Sequence, residues 1–258
     1  MPGGARPKFW YLLPNLFTAL SLLGGFYAIL ASVAGHFIPA AWAILLAALC
    51  DSLDGTLARL TRTSSLIGGQ LDSLCDLIAF GIAPIVMAYF WGLTSDSLAF
   101  LPPPWQKLGA VAAFIYLACG TYRLARFNVN TGSRDPSFFQ GLPITGGAAS
   151  LSAAVLWVDA PGGLLPPPYG LPLLILTLAL AGAMVSNLDY LSHKHQKFFA
   201  KRRPWIYTAV AVVLAASVWV GPTKIFPPLL IVYLLSGPAA TLLRRRQSKT
   251  PAAGGKSA

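Results

Sequence analysis

The 258-residue chain contains no glutamate, and its eight acidic residues are all aspartate. Charged residues of both signs reach only 10% against 55% hydrophobic, and the mean hydropathy is +0.63, which excludes a soluble domain with an ordinary charged surface. The three cysteines, Cys50, Cys75 and Cys119, have neither the number nor the spacing of a disulfide framework or a zinc knuckle, and read as packing thiols. No internal repeat is visible. Nineteen Lys and Arg leave a formal charge of +11. These cations are spread over short segments between apolar runs and form no nucleic-acid recognition module, so anionic membrane lipids are the expected counterpart and nucleic acid is not.

What the chain has instead is long apolar runs. A bilayer core of about 30 Å takes about 20 helical residues per crossing, and eight runs approach that length: Asn15–Gly35, Phe37–Arg59, Leu71–Leu93, Trp105–Phe127, Pro143–Val158, Leu171–Leu188, Pro204–Val220 and Phe226–Leu243. Pro- and Gly-rich segments such as 101–104, 161–168 and 221–228 punctuate them as turns outside the membrane. Of the 19 basic residues, 17 fall on one side of this arrangement, with only Lys107 and Lys224 on the other. Because Lys and Arg concentrate in cytoplasmic loops, both termini are expected in the cytoplasm. The expected fold is an all-α, polytopic membrane bundle of about eight helices, a single domain over residues 1–246 followed by a disordered basic tail at 247–258. Arg6, Lys8 and Ala31-Ser32-Val33-Ala34 loosely imitate a secretory leader; the first span is expected to be retained.

Four aspartates, Asp51, Asp54, Asp72 and Asp76, fall within 26 positions of largely apolar sequence. A carboxylate inside a membrane-spanning segment is costly unless a cation or partner neutralises it, so four together mark a functional site. Asp51 and Asp54 are three apart and Asp72 and Asp76 four apart, which puts each pair on one helix face. The segment Leu60–Ile67 reads as a short cytoplasmic turn between antiparallel spans, making the two faces neighbours. Facing carboxylates cannot all stay ionised without cations. Oxygen-only ligation favours one or two divalent ions, Mg2+ or Mn2+, and two such ions about 4 Å apart clamp a phosphoryl group in transfer. Gly55 and Gly68 expose backbone beside the acids to a phosphate or nucleotide, and Arg59 can meet a phosphate bidentately. Taken singly, the glycines equally suit close helix packing and Arg59 a cation snorkelling at a span end.

The whole pattern, Asp51-x2-Asp54-Gly55-x2-Ala58-Arg59-x8-Gly68-x3-Asp72-x3-Asp76, resembles the signature of the CDP-alcohol phosphotransferase family with all eight specified positions filled. The resemblance implies a displacement in which an alcohol attacks the β-phosphorus of a CDP-linked substrate and CMP leaves. It implies two divalent ions held by Asp51, Asp54, Asp72 and Asp76, with Asp76 at the second ion as general base. It further implies Gly55, Ala58, Arg59 and Gly68 at the nucleotide, and a homodimer; the basic asymmetry puts the active site on the cytoplasmic side of the cell membrane. Arg123-Leu124-Ala125-Arg126-Phe127-Asn128, followed by Phe138-Phe139-Gln140-Gly141-Leu142-Pro143, looks like the phosphatidylserine synthase branch, which joins CDP-diacylglycerol to L-serine. Pro14-Asn15-Leu16-Phe17-Thr18 also fits the family.

A serine acceptor carries a carboxylate, so its site should present a cation. Arg123 and Arg126, three apart on one helix face, are candidates for the lipid phosphate or the serine carboxylate; the plainer alternative is that both only set topology. Asn15 either contacts a ribose or phosphate or caps the first helix after Pro14. The same chemistry with glycerol 3-phosphate, inositol phosphate or choline is the alternative within the family. A cation transporter would account for the acids and not for a nucleotide.

Overall fold

The computed structural model describes residues 9–61, 66–130, 138–159, 169–186 and 189–191. The expected spans Pro204–Val220 and Phe226–Leu243 and the tail 247–258 lie outside the described residues. Among the described residues, four helical rods are long and apolar enough to cross a membrane: Asn15–Val33, Phe37–Leu57, Ile67–Leu93 and Pro103–Val129. The protein is therefore a multi-pass, helical membrane protein.

Helix α1 (Phe9–Val33) and helix α2 (Phe37–Thr61) form a tight hairpin. Gly35 turns the chain at a positive φ of 79°, its N–H bonds Ser32 O at 3.1 Å, and His36 N–H reaches back to Ala31 O at 2.8 Å. That pair of bonds satisfies the last carbonyls of α1, and the left-handed backbone it needs suits glycine alone among common residues. Close approach then rests on small side chains. A Cβ at Gly24 would lie 3.1 Å from both Ala43 O and Ala47 Cβ, and one at Gly25 would lie 2.6 Å from Ala79 Cα. One glycine thus seats α1 on α2 and the next seats it on the third rod, as helices pack where lipid gives no hydrophobic drive for association.

The third rod is not a uniform helix. It runs as α3 (Leu66–Asp76), a π-helical stretch at Leu77–Ile82, α4 (Ala83–Ala88) and a second π stretch at Tyr89–Leu93. Pro84 explains the first widening. It has no N–H to offer Phe80 O four residues back, so the regular ladder cannot continue there. The Tyr116 hydroxyl, fully buried on the next rod, donates to that carbonyl at 3.4 Å. The π stretch begins directly after Asp76.

A 3-10 turn at Pro103–Lys107 leads into α5 (Leu108–Asn130), which packs along α7 (Gly170–Val185) and the third rod. Helix α6 (Ile144–Asp159) lies against α2 and fills the core with Leu151, Val155 and Leu156. The expected fifth and sixth spans correspond to α6 and α7, apolar helices of 16 residues each. Sixteen residues rise about 24 Å, less than a full hydrocarbon core of about 30 Å. Strand β1 (Phe138–Gln140) pairs antiparallel with β2 (Asp189–Leu191), Gln140 opposite Asp189, a departure from the all-α expectation confined to two three-residue strands. The strands tie the entry to α6 to the exit from α7.

Replacing Gly25 by Ala should lower stability by about 1–3 kcal/mol, because the new methyl meets backbone with no side chain to yield. Thermal unfolding of the detergent-solubilised protein, compared with Gly182→Ala, where a Cβ would meet nothing within 4 Å, checks this.

Candidate active site

Asp51 and Asp54 stand on α2, and Asp72 and Asp76 in the second half of α3, which ends at Asp76. Asp51, Asp72 and Asp76 each direct a carboxylate oxygen to within 4.8 Å of the others. Asp51 and Asp76 lie within hydrogen-bonding reach of one another. The expectation that the two acidic pairs converge across the turn is thereby met for three of the four. Asp54, one turn along α2, stands beside this group, close enough to feel the charges of Asp51 and Asp72, and is only 5% exposed. A third helix holds it: Thr18 Oγ1 of α1 donates to Asp54 Oδ2 at 2.8 Å.

The donor set fits a hard divalent cation. Three anionic oxygens converge where their mutual repulsion in a poor dielectric calls for a counter-charge, and all are carboxylate. Cys75 lies between Asp72 and Asp76 in sequence but is a buried free thiol outside the converging group, and Cys50 is likewise free and outside it. All three cysteines are unpaired, as the sequence suggests.

Helix α5 closes the third side. Tyr116 bonds Phe80 O, and near the other end Asn128 Nδ2 donates to Ser73 Oγ at 2.9 Å, so α5 runs antiparallel to the third rod. Arg123 lies between these two anchors and therefore at about the depth of Asp76. It is 8% exposed, with its guanidinium 5.5 Å from the centroid of the Phe127 ring. Arg126 has turned elsewhere. Its Nη1 donates to Val185 O at 3.3 Å and its Nη2 to Ser186 O at 3.4 Å, where α7 ends. The backbone of Gly141, at φ 78°, passes so close that a Cβ there would lie 2.9 Å from Arg126 Nη2. Arg126 thus ties three segments together near the C-terminal end of α5.

The remaining expected site residues fall as follows. Gly55 has nothing within 4 Å of where a Cβ would stand, so the backbone beside Asp54 is open to a ligand. Gly68 sits half-buried in the first turns of α3. Ala58 and Arg59 belong to α2, but their side chains lie outside the described residues. Asn15 is exposed and lies well inside α1, which begins at Phe9, so the reading that it caps this helix is overturned. Thr18 and Asn128 were assigned no role from the sequence. Thr18 closes the family-like segment Pro14–Thr18, a signal that could have marked it, and contact with Asp54 gives it a role.

Comparison with known proteins agrees with this geometry. A family model described as CDP-alcohol phosphatidyltransferase matches residues 11–188. The chain is 34% identical over 227 residues, 88% of its length and 90% of the relative's, to a CDP-diacylglycerol–serine O-phosphatidyltransferase of Helicobacter pylori. It is 36% identical over 146 residues to an archaetidylserine synthase of Methanothermobacter thermautotrophicus, covering 56% of this chain and 58% of that one. It is also 34% identical over 146 residues to a CDP-diacylglycerol–serine O-phosphatidyltransferase of Saccharomyces cerevisiae, 51% of this chain and 49% of that one.

Substituting Arg126 by Ala strips the end of α7 of two charge-assisted donors. A loss of about 1–2 kcal/mol of stability is expected, read as a lower melting temperature, with Arg126→Lys recovering only part because a point-charge ammonium cannot span two carbonyls as a guanidinium does.

Proposed function

The chain belongs to the CDP-alcohol phosphatidyltransferase family, and from that premise we propose that it transfers the phosphatidyl group of CDP-diacylglycerol to the hydroxyl of L-serine, giving phosphatidylserine and CMP. The observation that carries this is the 34% identity to a serine-specific relative over 88% of the chain, with the carboxylates of Asp51, Asp72 and Asp76 converging inside the matched region.

Asp51, Asp54, Asp72 and Asp76 would hold two divalent ions, Mg2+ or Mn2+, which when bound neutralise the pyrophosphate and the departing CMP. The bond that forms joins the serine hydroxyl oxygen to the β-phosphorus, and the bond that breaks releases CMP. Asp76 takes the hydroxyl proton, acting as general base. Gly55, Ala58, Arg59 and Gly68 receive the nucleotide, the open space beside Gly55 admitting a bulky group against the backbone; Asn15, exposed one turn before Thr18, faces the same end of α1. Arg123 is the cation for the lipid phosphate or the serine carboxylate: its burial and its depth beside Asp76 support that role, whereas the carbonyls at the end of α7 already occupy Arg126. The excess of Lys and Arg on one side supports both termini and the aspartates at the cytoplasmic face of the cell membrane, in a single domain of about eight spans over residues 1–246. A homodimer completes the proposal, on the family resemblance.

Purified protein supplied with CDP-diacylglycerol, Mn2+ or Mg2+ and radiolabelled serine should yield labelled phosphatidylserine and CMP. Glycerol 3-phosphate, inositol phosphate or choline, each offered alone, should release none. CMP with one of these and not with serine reassigns the acceptor, and no CMP with any of them overturns the enzyme. In the same assay Arg123→Ala should raise KM for serine or for CDP-diacylglycerol about 10–100-fold, the loss of a charge-assisted contact. Asp76→Asn should keep CDP-diacylglycerol binding while turnover drops about 10²–10⁴-fold; wild-type turnover in that variant would remove Asp76 as the base.

A further inference from the structure

We propose that Thr18 is a positioning residue that fixes the orientation of Asp54 for cation binding, an inference that rests on the metal-dependent reading above. Thr18 is 6% exposed and Asp54 5%, and the hydroxyl donates to Asp54 Oδ2 at 2.8 Å across the α1–α2 interface. An ionised carboxylate can only accept, so the direction of this bond is set: the Thr18 proton is committed to Oδ2, while Oδ1 is not bound by it. A donor from a neighbouring helix therefore holds a side chain that otherwise rotates about its own torsions, at the edge of the group formed by Asp51, Asp72 and Asp76.

Helix packing does not require the hydroxyl. Contact between α1 and α2 is already secured where Gly24 meets Ala43 and Ala47, two turns further along α1. A valine in place of Thr18 keeps the branched shape and loses only the donor. Asp54 is the one motif aspartate outside the converging three, and the Thr18 hydroxyl is placed to set its orientation. Partners that orient a ligating carboxylate typically change metal affinity about 10–100-fold when removed.

The test uses the full chain in detergent, with Mn2+ binding followed by the loss of free-ion signal in electron paramagnetic resonance and helicity followed by circular dichroism without metal. Thr18→Val should weaken Mn2+ binding about 10–100-fold while Thr18→Ser, which keeps the hydroxyl, stays within about threefold of the wild type. Metal-free helicity and melting should be unchanged in both. Wild-type Mn2+ affinity in Thr18→Val overturns the inference. So does a Thr18→Ser variant as weak as Thr18→Val, since the methyl would then be what matters, and so does loss of helicity in Thr18→Val, which would make the hydroxyl a fold element. Failure of the wild type itself to bind Mn2+ sinks the metal-dependent reading before any variant is compared, and the inference with it.

Discussion

Negative charge gathered inside an apolar bundle is the constraint that organises this protein. Carboxylates brought within a few ångströms of one another in a medium of low dielectric repel strongly, and each also loses its hydration. Such a group persists only where the fold forces it and where a counter-charge or hydrogen-bond donors compensate. Here the fold brings acids of α2 and α3 together, and Thr18 supplies a donor from a third helix. A cluster of this kind is suited to hold a cation, because it is unfavourable without a counter-charge.

Bringing three helices close enough to do this depends on residues that are nearly absent sterically. Gly24 and Gly25 let α1 lie against α2 on one side and against Ala79 on the other, so the same helix contacts both acid-bearing rods. The third rod then departs from α-helical geometry immediately after Asp76. Pro84 removes one rung of the ladder, and Tyr116 of α5 takes up Phe80 O, which fastens α5 to the rod within the widened stretch. Local backbone irregularity, inter-helix anchoring and the position of Asp76 are therefore one linked feature.

Helix α5 shows how two like residues three apart come to different uses. Arg123 and Arg126 share a helix face and a charge, yet Arg126 reaches the end of α7 and the Gly141 turn while Arg123 stays buried between the Tyr116 and Asn128 anchors. The guanidinium fork suits both tasks, since it pairs equally with two helix-terminal carbonyls or with a phosphate or carboxylate. In a CDP-alcohol phosphatidyltransferase, which must hold a lipid-linked pyrophosphate and an acceptor together, a cation at the depth of the acids and a second that stiffens the surrounding helices are complementary.

Membrane character, the helical class and the aspartate motif were legible from composition and spacing, because each depends on periodicity or local chemistry. Hydrophobic length declares a span, a three- or four-residue interval puts two acids on one face, and a fixed pattern of eight residues declares the family. The convergence of Asp51 with Asp72 and Asp76 was expected from the few residues that separate their apolar runs. What escaped the sequence depends on contacts between segments distant along the chain: the choice of Thr18 over its neighbours as the partner of Asp54, 36 residues away, the diversion of Arg126 to carbonyls about 60 residues on, and the placing of Asn15 inside a helix whose start lies further back. A helix face is written in its own residues, but which neighbour that face meets, and at what depth, is decided only when the rods pack.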